Sequence, residues 1–294
     1  MPARVSSPRY SRDEILGRLR AEVAAGNTIL GAGCSAGIIA KCAEIGGADL
    51  IITYSTGRTR MMGLPTTTIT GPASNHTTLA MAGELLNVIQ DTPLIAGVEA
   101  NDFEFLDLEA SLDRFTGQGF SGIINFPTTG LNENLVAGGL AARDYTGAMA
   151  AGFRQEHWGW SREVEMIARA RARNLFTMTY VCSPDDAAQM AQAGADAVCA
   201  HVGGTIGGMT GFRPRGDTST LLERAQRILD AATAVSPEII PLVHGGPFHD
   251  PASTGIIYRE TSAVGFVAAS AVERIPVENA IREVCEQYKS LRRP

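Results

Sequence analysis

The sequence predicts a (β/α)8 barrel, the TIM barrel of the α/β class, with one extra helix before it. Three observations lead there. A short apolar run followed by an amphipathic helical stretch recurs eight times between Thr28 and Ser290. The apolar runs are continuous, as in parallel strands buried on both faces, and do not alternate with polar residues. The chain has 294 residues, of which 45% are hydrophobic, a length at which such barrels form one domain. The reading is therefore a single domain over 1–294: a tail at 1–10, a helix at 11–26 and the barrel at 28–290.

The elements follow in order. Ser11 and Glu14 have capping-box spacing, and Ile15, Leu16, Leu19 and Val23 give the first helix one apolar stripe. The eight strands are expected near Thr28–Gly33, Asp49–Tyr54, Pro93–Glu99, Gly122–Phe126, Phe176–Val181, Ala195–His201, Ile239–His244 and Gly265–Ala269. Their helices are expected near Ala36–Ile45, His76–Gln90, Leu106–Thr116, Ser161–Arg173, from Pro184, Thr218–Ala234, Pro251–Arg259 and Val277–Ser290. Pro184 suits the first position of its helix, where a missing N–H costs nothing. GRTRMMGLP, after the second strand, reads as a long loop. An open doubly wound sheet is the competing fold. Its dinucleotide loop is only partly matched by Gly31-Ala-Gly33-Cys-Ser-Ala36, and Thr53-Tyr54-Ser55 stands where an acidic residue is required.

Bulk properties narrow the partners. A net charge of -6 and a pI near 5.4 give no basic signal for nucleic acid. No apolar run approaches the roughly 18 residues that span a bilayer, and the N-terminus lacks the apolar centre of a signal peptide. Five scattered cysteines without a CxxC pair favour reduced thiols in a cytoplasmic protein. The long segments Gly57–Asn75 and Thr128–Trp160 carry Met61, Met62, Leu64, Leu131, Leu135, Phe153, Trp158 and Trp160. So much apolar surface calls for a cover, which points to a homo-oligomer.

In a barrel the C-terminal strand ends converge on one bowl. Here they bring Cys34 and Ser35; Tyr54, Ser55, Gly57 and Arg58; Glu99 and Asp102; Asn125; Tyr180; His201 and Thr205; His244 to Gly246; and Ser270, Glu273 and Arg274. His201 and His244 end adjacent strands and are the candidate proton shuttle, with Glu99 and Asp102 as further catalytic candidates. Ser55, Gly57, Arg58, Asn125, Tyr180, Thr205, Gly245, Gly246, Ser270, Glu273 and Arg274 are the candidate contacts to substrate. Arg58 or Arg60 offers a fork to an anion, and the glycine-rich loops after the sixth and seventh strands offer backbone amides. Glu99 and Asp102 could hold Mg2+; the two histidines could ligate zinc, although no HxH or HxxxH supports it. A bound anion is expected to raise both histidine pKa values. No lysine ends a strand, which disfavours a Schiff base.

The blocks AGVEAND, GIINFPTTGL, REVEMI, AHVGGTIGG, LVHGGPF and GFVAASAVERIPVENAI resemble those of the phosphoenolpyruvate hydrolase-like TIM-barrel family. That family also supplies the C-terminal domain of the plant antiviral protein Tm-1. The resemblance runs from about Thr28 to Tyr288. It implies a barrel related to those of phosphoenolpyruvate mutase and isocitrate lyase, and a hydrolase or lyase acting on phosphoenolpyruvate or phosphonopyruvate. Where the family pattern has AGVxATDPF, this chain has Glu99 and Phe103 within AGVEANDFEF. Two functions stand open. One is acid–base catalysis on a small α-keto or enol acid, phosphorylated or not. The other is a non-catalytic ligand- or protein-binding barrel of the Tm-1 type.

Overall fold

A computed structural model describes residues 8–64, 74–130, 159–213 and 216–293. Eight parallel strands close into a barrel in chain order, the last pairing with the first. They are β1 (Ile29–Gly33), β2 (Leu50–Thr53), β3 (Leu94–Val98), β4 (Gly122–Asn125), β5 (Phe176–Val181), β6 (Ala197–His201), β7 (Ile240–His244) and β8 (Gly265–Ala268). The helices are α1 (Arg12–Ala24), α2 (Gly37–Ile45), α3 (Ser55–Met61), α4 (Ser74–Leu86), α5 (Leu108–Gly117), α6 (Trp160–Ala172), α7 (Pro184–Gln192), α8 (Thr218–Val235), α9 (Pro251–Thr254), α10 (Ile257–Glu260) and α11 (Arg274–Ser290). Much of the two long segments expected to carry apolar surface, including Leu131, Leu135, Phe153 and Trp158, lies outside the described residues.

Two apolar layers hold the fold. Inward side chains such as Ile52, Ile95, Ile124, Phe176, Met178 and Leu242 fill the barrel. Outward side chains such as Ile51, Val98, Val181, Val198 and Val243 meet the helices. This division is why the strands read as unbroken apolar runs. Helix α1 plugs the N-terminal mouth. Its capping box is formed by Ser11 and Glu14, and Ile15, Leu16 and Leu19 join the inner layer. Arg12 fixes the plug by an ion pair of 2.7 Å to buried Asp196, whose Oδ2 also accepts the Thr177 amide at 3.0 Å.

The first part of the segment read as a loop after β2, as far as Met61, is instead helical as α3. Ser55-Thr-Gly-Arg-Thr-Arg lacks proline and winds directly off the strand, and that places Arg60 inward. On β3, Gly97 is a packing requirement. A Cβ there would lie 2.3 Å from the Cβ of Tyr54, so glycine is what lets the Tyr54 ring turn into the bowl.

Because Leu19 is 1% exposed at the centre of the plug, Leu19→Ala should cost about 2–5 kcal/mol, the usual range for a buried leucine. Urea unfolding of the full chain measures this. A cost below about 0.5 kcal/mol, typical of surface positions, would mean that α1 does not close the barrel.

Candidate active site

The C-terminal mouth holds a small pocket. Tyr54, Arg60, His201, Thr205, His244 and Ser270 supply its polar lining, and Phe126 and Phe212 supply much of the rest. Aromatic rings form a continuous wall. Tyr54 and Phe126 lie 4.6 Å apart, Phe126 and Tyr180 5.4 Å, Tyr180 and His201 5.2 Å, and His201 and His244 4.7 Å.

The two histidines end neighbouring strands in register, and the backbone gives them opposite tautomers. His244 Nδ1 lies 2.6 Å from the Val267 carbonyl oxygen. A carbonyl only accepts, so Nδ1 carries the proton and Nε2 keeps a lone pair. His201 Nδ1 accepts the Gly203 amide at 3.2 Å, which leaves the ring proton on Nε2. One ring therefore offers an acceptor and the other a donor. Burial keeps both neutral: it pushes His244 down to about 4, with the Val267 carbonyl opposing and Arg60 adding to the effect. Burial, then the neighbouring His244 and Arg224, hold His201 well below its ordinary value. The rise expected of both rings belongs to a bound anion, and it would act against the burial that lowers them here.

Arg60 is the buried cation among the described pocket residues, and Glu273 neutralises it. Glu273 Oε2 accepts from Arg60 Nη2 at 2.7 Å and Nε at 3.1 Å. Its Oε1 accepts the Ser35 amide at 2.6 Å and also the Ser35 hydroxyl. The Arg60 guanidinium also sits 5.4 Å over the Tyr54 ring. Burial works against the arginine's charge, but Glu273 more than offsets it and the pKa ends raised. Burial likewise raises the phenols of Tyr54 and Tyr180, which stay protonated.

The other sequence candidates have distinct placements. Arg58 is exposed on α3, and Arg60 takes the inward place assigned to it. Two residues apart on a helix, the two cannot share a face. Asn125 serves the barrel wall: its Oδ1 accepts the Tyr180 amide at 2.8 Å, and its Nδ2 donates to Glu163 at 2.7 Å and to the Tyr180 carbonyl at 3.1 Å. Asp102 accepts the amides of Asn75 and Glu104 at 3.2 and 3.0 Å and so shapes its loop. Glu99 is buried and its backbone is clasped by the Asn75 side chain at 2.9 Å on both sides. Gly246 donates its amide to the Gly203 carbonyl at 2.9 Å, and a Cβ on Gly245 would lie 2.0 Å from that same oxygen. These glycines bring two loops together and do not aim that amide at an anion. Ser55 opens α3, and Gly57 packs on Ser35. Arg274 donates to the Gly207 carbonyl at 3.0 Å and pairs with Glu278 at 2.7 Å, bracing the loop after β6. Thr205, Ser270 and the two histidines are the candidates that line the pocket.

Sequence reasoning underweighted two residues. Arg60 was legible once α3 was read as a helix, since Thr56 and Arg60 share a face at i, i+4. Glu163 binds Asn125, Thr128 and Thr129 together through both oxygens; burial pushes it up to about 7 against those hydrogen bonds. Its position at a helix start concealed that it is wholly buried.

The family model of phosphoenolpyruvate hydrolase-like proteins matches residues 14–291. The chain belongs to this family. It is 37% identical over 283 residues to the ToMV resistance protein Tm-1(GCR237) of Solanum lycopersicum, covering 95% of this chain and 36% of that protein. It is 31% identical over 289 residues to the putative transcriptional regulatory protein y4pA of Sinorhizobium fredii, covering 97% of this chain and 45% of that protein. The chain therefore spans less than half the length of these curated relatives. Among solved structures it shares the fold of 2,3-dimethylmalate lyase, with TM-score 0.59, 14% identity and coverage of 96% of this chain and 88% of that one. It also shares the fold of phosphonopyruvate hydrolase in complex with oxalate and Mg2+, with TM-score 0.55, 16% identity and coverage of 95% and 87%.

The histidine environment makes stability depend on pH with a defined sign. Folded His244 titrates at about 4 and an unfolded histidine near 6.5. Between these values the unfolded chain binds the proton more readily, so the contribution is complete above about 6.5 and is lost as pH falls towards about 4. The window corresponds to on the order of 3 kcal/mol. Glu163, raised to about 7, acts in the opposite sense, losing its contribution as pH rises through that value. The measurement is therefore a difference: between pH 7 and pH 4, urea unfolding should show wild type losing about 3 kcal/mol more than His244→Asn. Equal pH slopes would mean that His244 titrates as an exposed histidine does.

Proposed function

We propose that the protein is an enzyme that moves a proton on a small α-keto or enol acid at the C-terminal face of the barrel. The observation that carries this is the pair of neutral imidazoles with opposite free valences at one pocket. His244 Nε2 is the base, taking a proton from carbon or from water. His201 Nε2–H is the donor, stabilising the oxygen on which charge develops. Arg60, its charge paired with Glu273, offers the substrate carboxylate fixed N–H donors at the pocket wall, and the Thr205 and Ser270 hydroxyls complete the polar lining. Family membership supports a hydrolase or lyase of this kind. The fold neighbours include proteins described as acting on small oxyacids.

Mg2+ accompanies oxalate in the phosphonopyruvate hydrolase complex. Here, among the described residues, no group of three or more His, Cys, Asp or Glu is placed to hold a metal ion. Glu273 and Glu163 are held by their own donors, and Asp102 is held by loop amides. Glu99 and Asp102 are the carboxylates that would hold Mg2+, with water completing its shell as that ion prefers, and the proposed steps use only the imidazoles, Arg60 and the hydroxyls. Among the described residues no helix is long and apolar enough to cross a membrane. The reading is of a small-molecule enzyme in the cytoplasm, with no nucleic-acid partner.

The second reading is a binding barrel without turnover, favoured by the 37% identity to a ToMV resistance protein. Exchange of C3 protons of pyruvate and oxaloacetate in deuterated water, and turnover of phosphonopyruvate and phosphoenolpyruvate, separate the two. Wild type should act on at least one of these acids, and His244→Asn should lose on the order of 10²–10⁴ in rate. The kcat/KM profile reports the free enzyme and should fall on the acid side only near pH 4, following His244. Undiminished turnover in the variant would remove His244 from the chemistry, and inactivity of wild type towards all four acids would favour the binding barrel.

A further inference from the structure

The pocket lining carries no surplus positive charge. Its cation, Arg60, is matched by Glu273 at 2.7 Å, and both histidines are neutral. Two further arginines nearby are engaged outside the lining: Arg274 pairs with Glu278, and Arg224 donates to the Cys182 carbonyl at 2.6 Å. Mg2+ held by Glu99 and Asp102 would meet its own charge in theirs and leave this balance unchanged.

Hydrogen-bond donors are as limited. A guanidinium has five N–H donors. Arg60 commits three of them, Nε and one on Nη2 to Glu273 and one on Nη1 to Thr56. At most two are left, which suffices for one carboxylate. The loop amides that could cradle a second anionic group are also committed. After β6 and β7, Gly203 donates to His201 Nδ1, Ile206 to the Gly246 carbonyl, Gly246 to the Gly203 carbonyl and Met209 to Glu278. After β8, the amides of Val272 and Glu273 both turn back to the Ala269 carbonyl. The rest of the wall is apolar, with Phe126, Phe212 and Ala269. Phe212 lies flat on Gly204, where a Cβ would come within 2.3 Å of its ring.

We infer that Glu273, acting through Arg60, sets the specificity of the pocket: it admits α-keto acids with one carboxylate and an apolar far end, and excludes those with a second carboxylate, a phosphonate or a phosphate. This rests on the reading of the pocket as a site for small keto or enol acids, and narrows it. The single carboxylate takes the remaining Arg60 donors. A second anionic group would be buried with neither a cation nor an uncommitted amide from these loops, and unpaired buried charge is costly.

Isothermal titration of the full chain in EDTA with α-ketoisocaproate and oxaloacetate tests this. The two acids share one branched shape, with two methyl groups in the first where the second has two carboxylate oxygens, so they differ in charge and hardly in size. Wild type should bind α-ketoisocaproate on the order of a hundredfold more tightly. Glu273→Gln keeps an acceptor for Ser35 but leaves the guanidinium charge unmatched. It should shift the ratio of affinities towards oxaloacetate by on the order of tenfold or more, whereas a merely structural defect would weaken both acids and leave their ratio unmoved. Circular dichroism checks the fold of the variant, and if it does not fold the wild-type ratio decides alone. Oxaloacetate bound by wild type as tightly as α-ketoisocaproate, or a ratio unmoved in folded Glu273→Gln, overturns the proposal. The acid–base reading is scored separately. Turnover of oxaloacetate by a wild type that also binds it more tightly would end the specificity and leave the chemistry standing. Preferential binding of α-ketoisocaproate without exchange of its C3 protons in deuterated water would keep the specificity and remove the chemistry.

Discussion

The buried ion pair between Arg60 and Glu273 is the constraint on which the bowl depends. The two side chains are 2% and 0% exposed and join loops more than two hundred residues apart in sequence. Glu273 also holds Ser35, so the exits of β1, β2 and β8 are fastened at one carboxylate. Burying two charges is costly, and such a pair contributes little net stability compared with apolar packing. Removing either partner alone strands the other and costs about 3–5 kcal/mol. The pair therefore fixes geometry more than it adds stability. It fixes the arginine beside two neutral imidazoles and sets the position from which α11 departs.

Much of the fold was legible because its signals are local. A continuous apolar run can be buried on both faces only in a covered parallel sheet, and eight such runs with intervening helices leave few topologies. The capping box of Ser11 and Glu14 located the start of α1, which ends two residues before the expected stop. The short helix α3 was not legible as one, because its seven residues carry no apolar stripe, and with it the inward turn of Arg60 was missed.

The site was legible as a set of strand ends but not as a set of roles. Sequence shows that Asn125, Asp102 and Glu273 end strands or follow them. It does not show which of them the backbone claims first. Asn125 and Asp102 are taken by neighbouring amides and a carboxylate, Glu273 by Arg60 and Ser35. The histidines differ because the backbone takes only one nitrogen of each. Their tautomers depend on contacts with Gly203 and Val267, one local and one across the sheet, and only the folded barrel contains the second.

The central claim is that the backbone gives His201 and His244 opposite tautomers while burial keeps both neutral. Long-range ¹H–¹⁵N correlation spectra of the ¹⁵N-histidine-labelled protein, assigned with single His→Asn variants, read this directly. At pH 7 the account predicts a protonated Nδ1 on His244 and a protonated Nε2 on His201. Both rings appearing as imidazolium, or both sharing one tautomer, would contradict it.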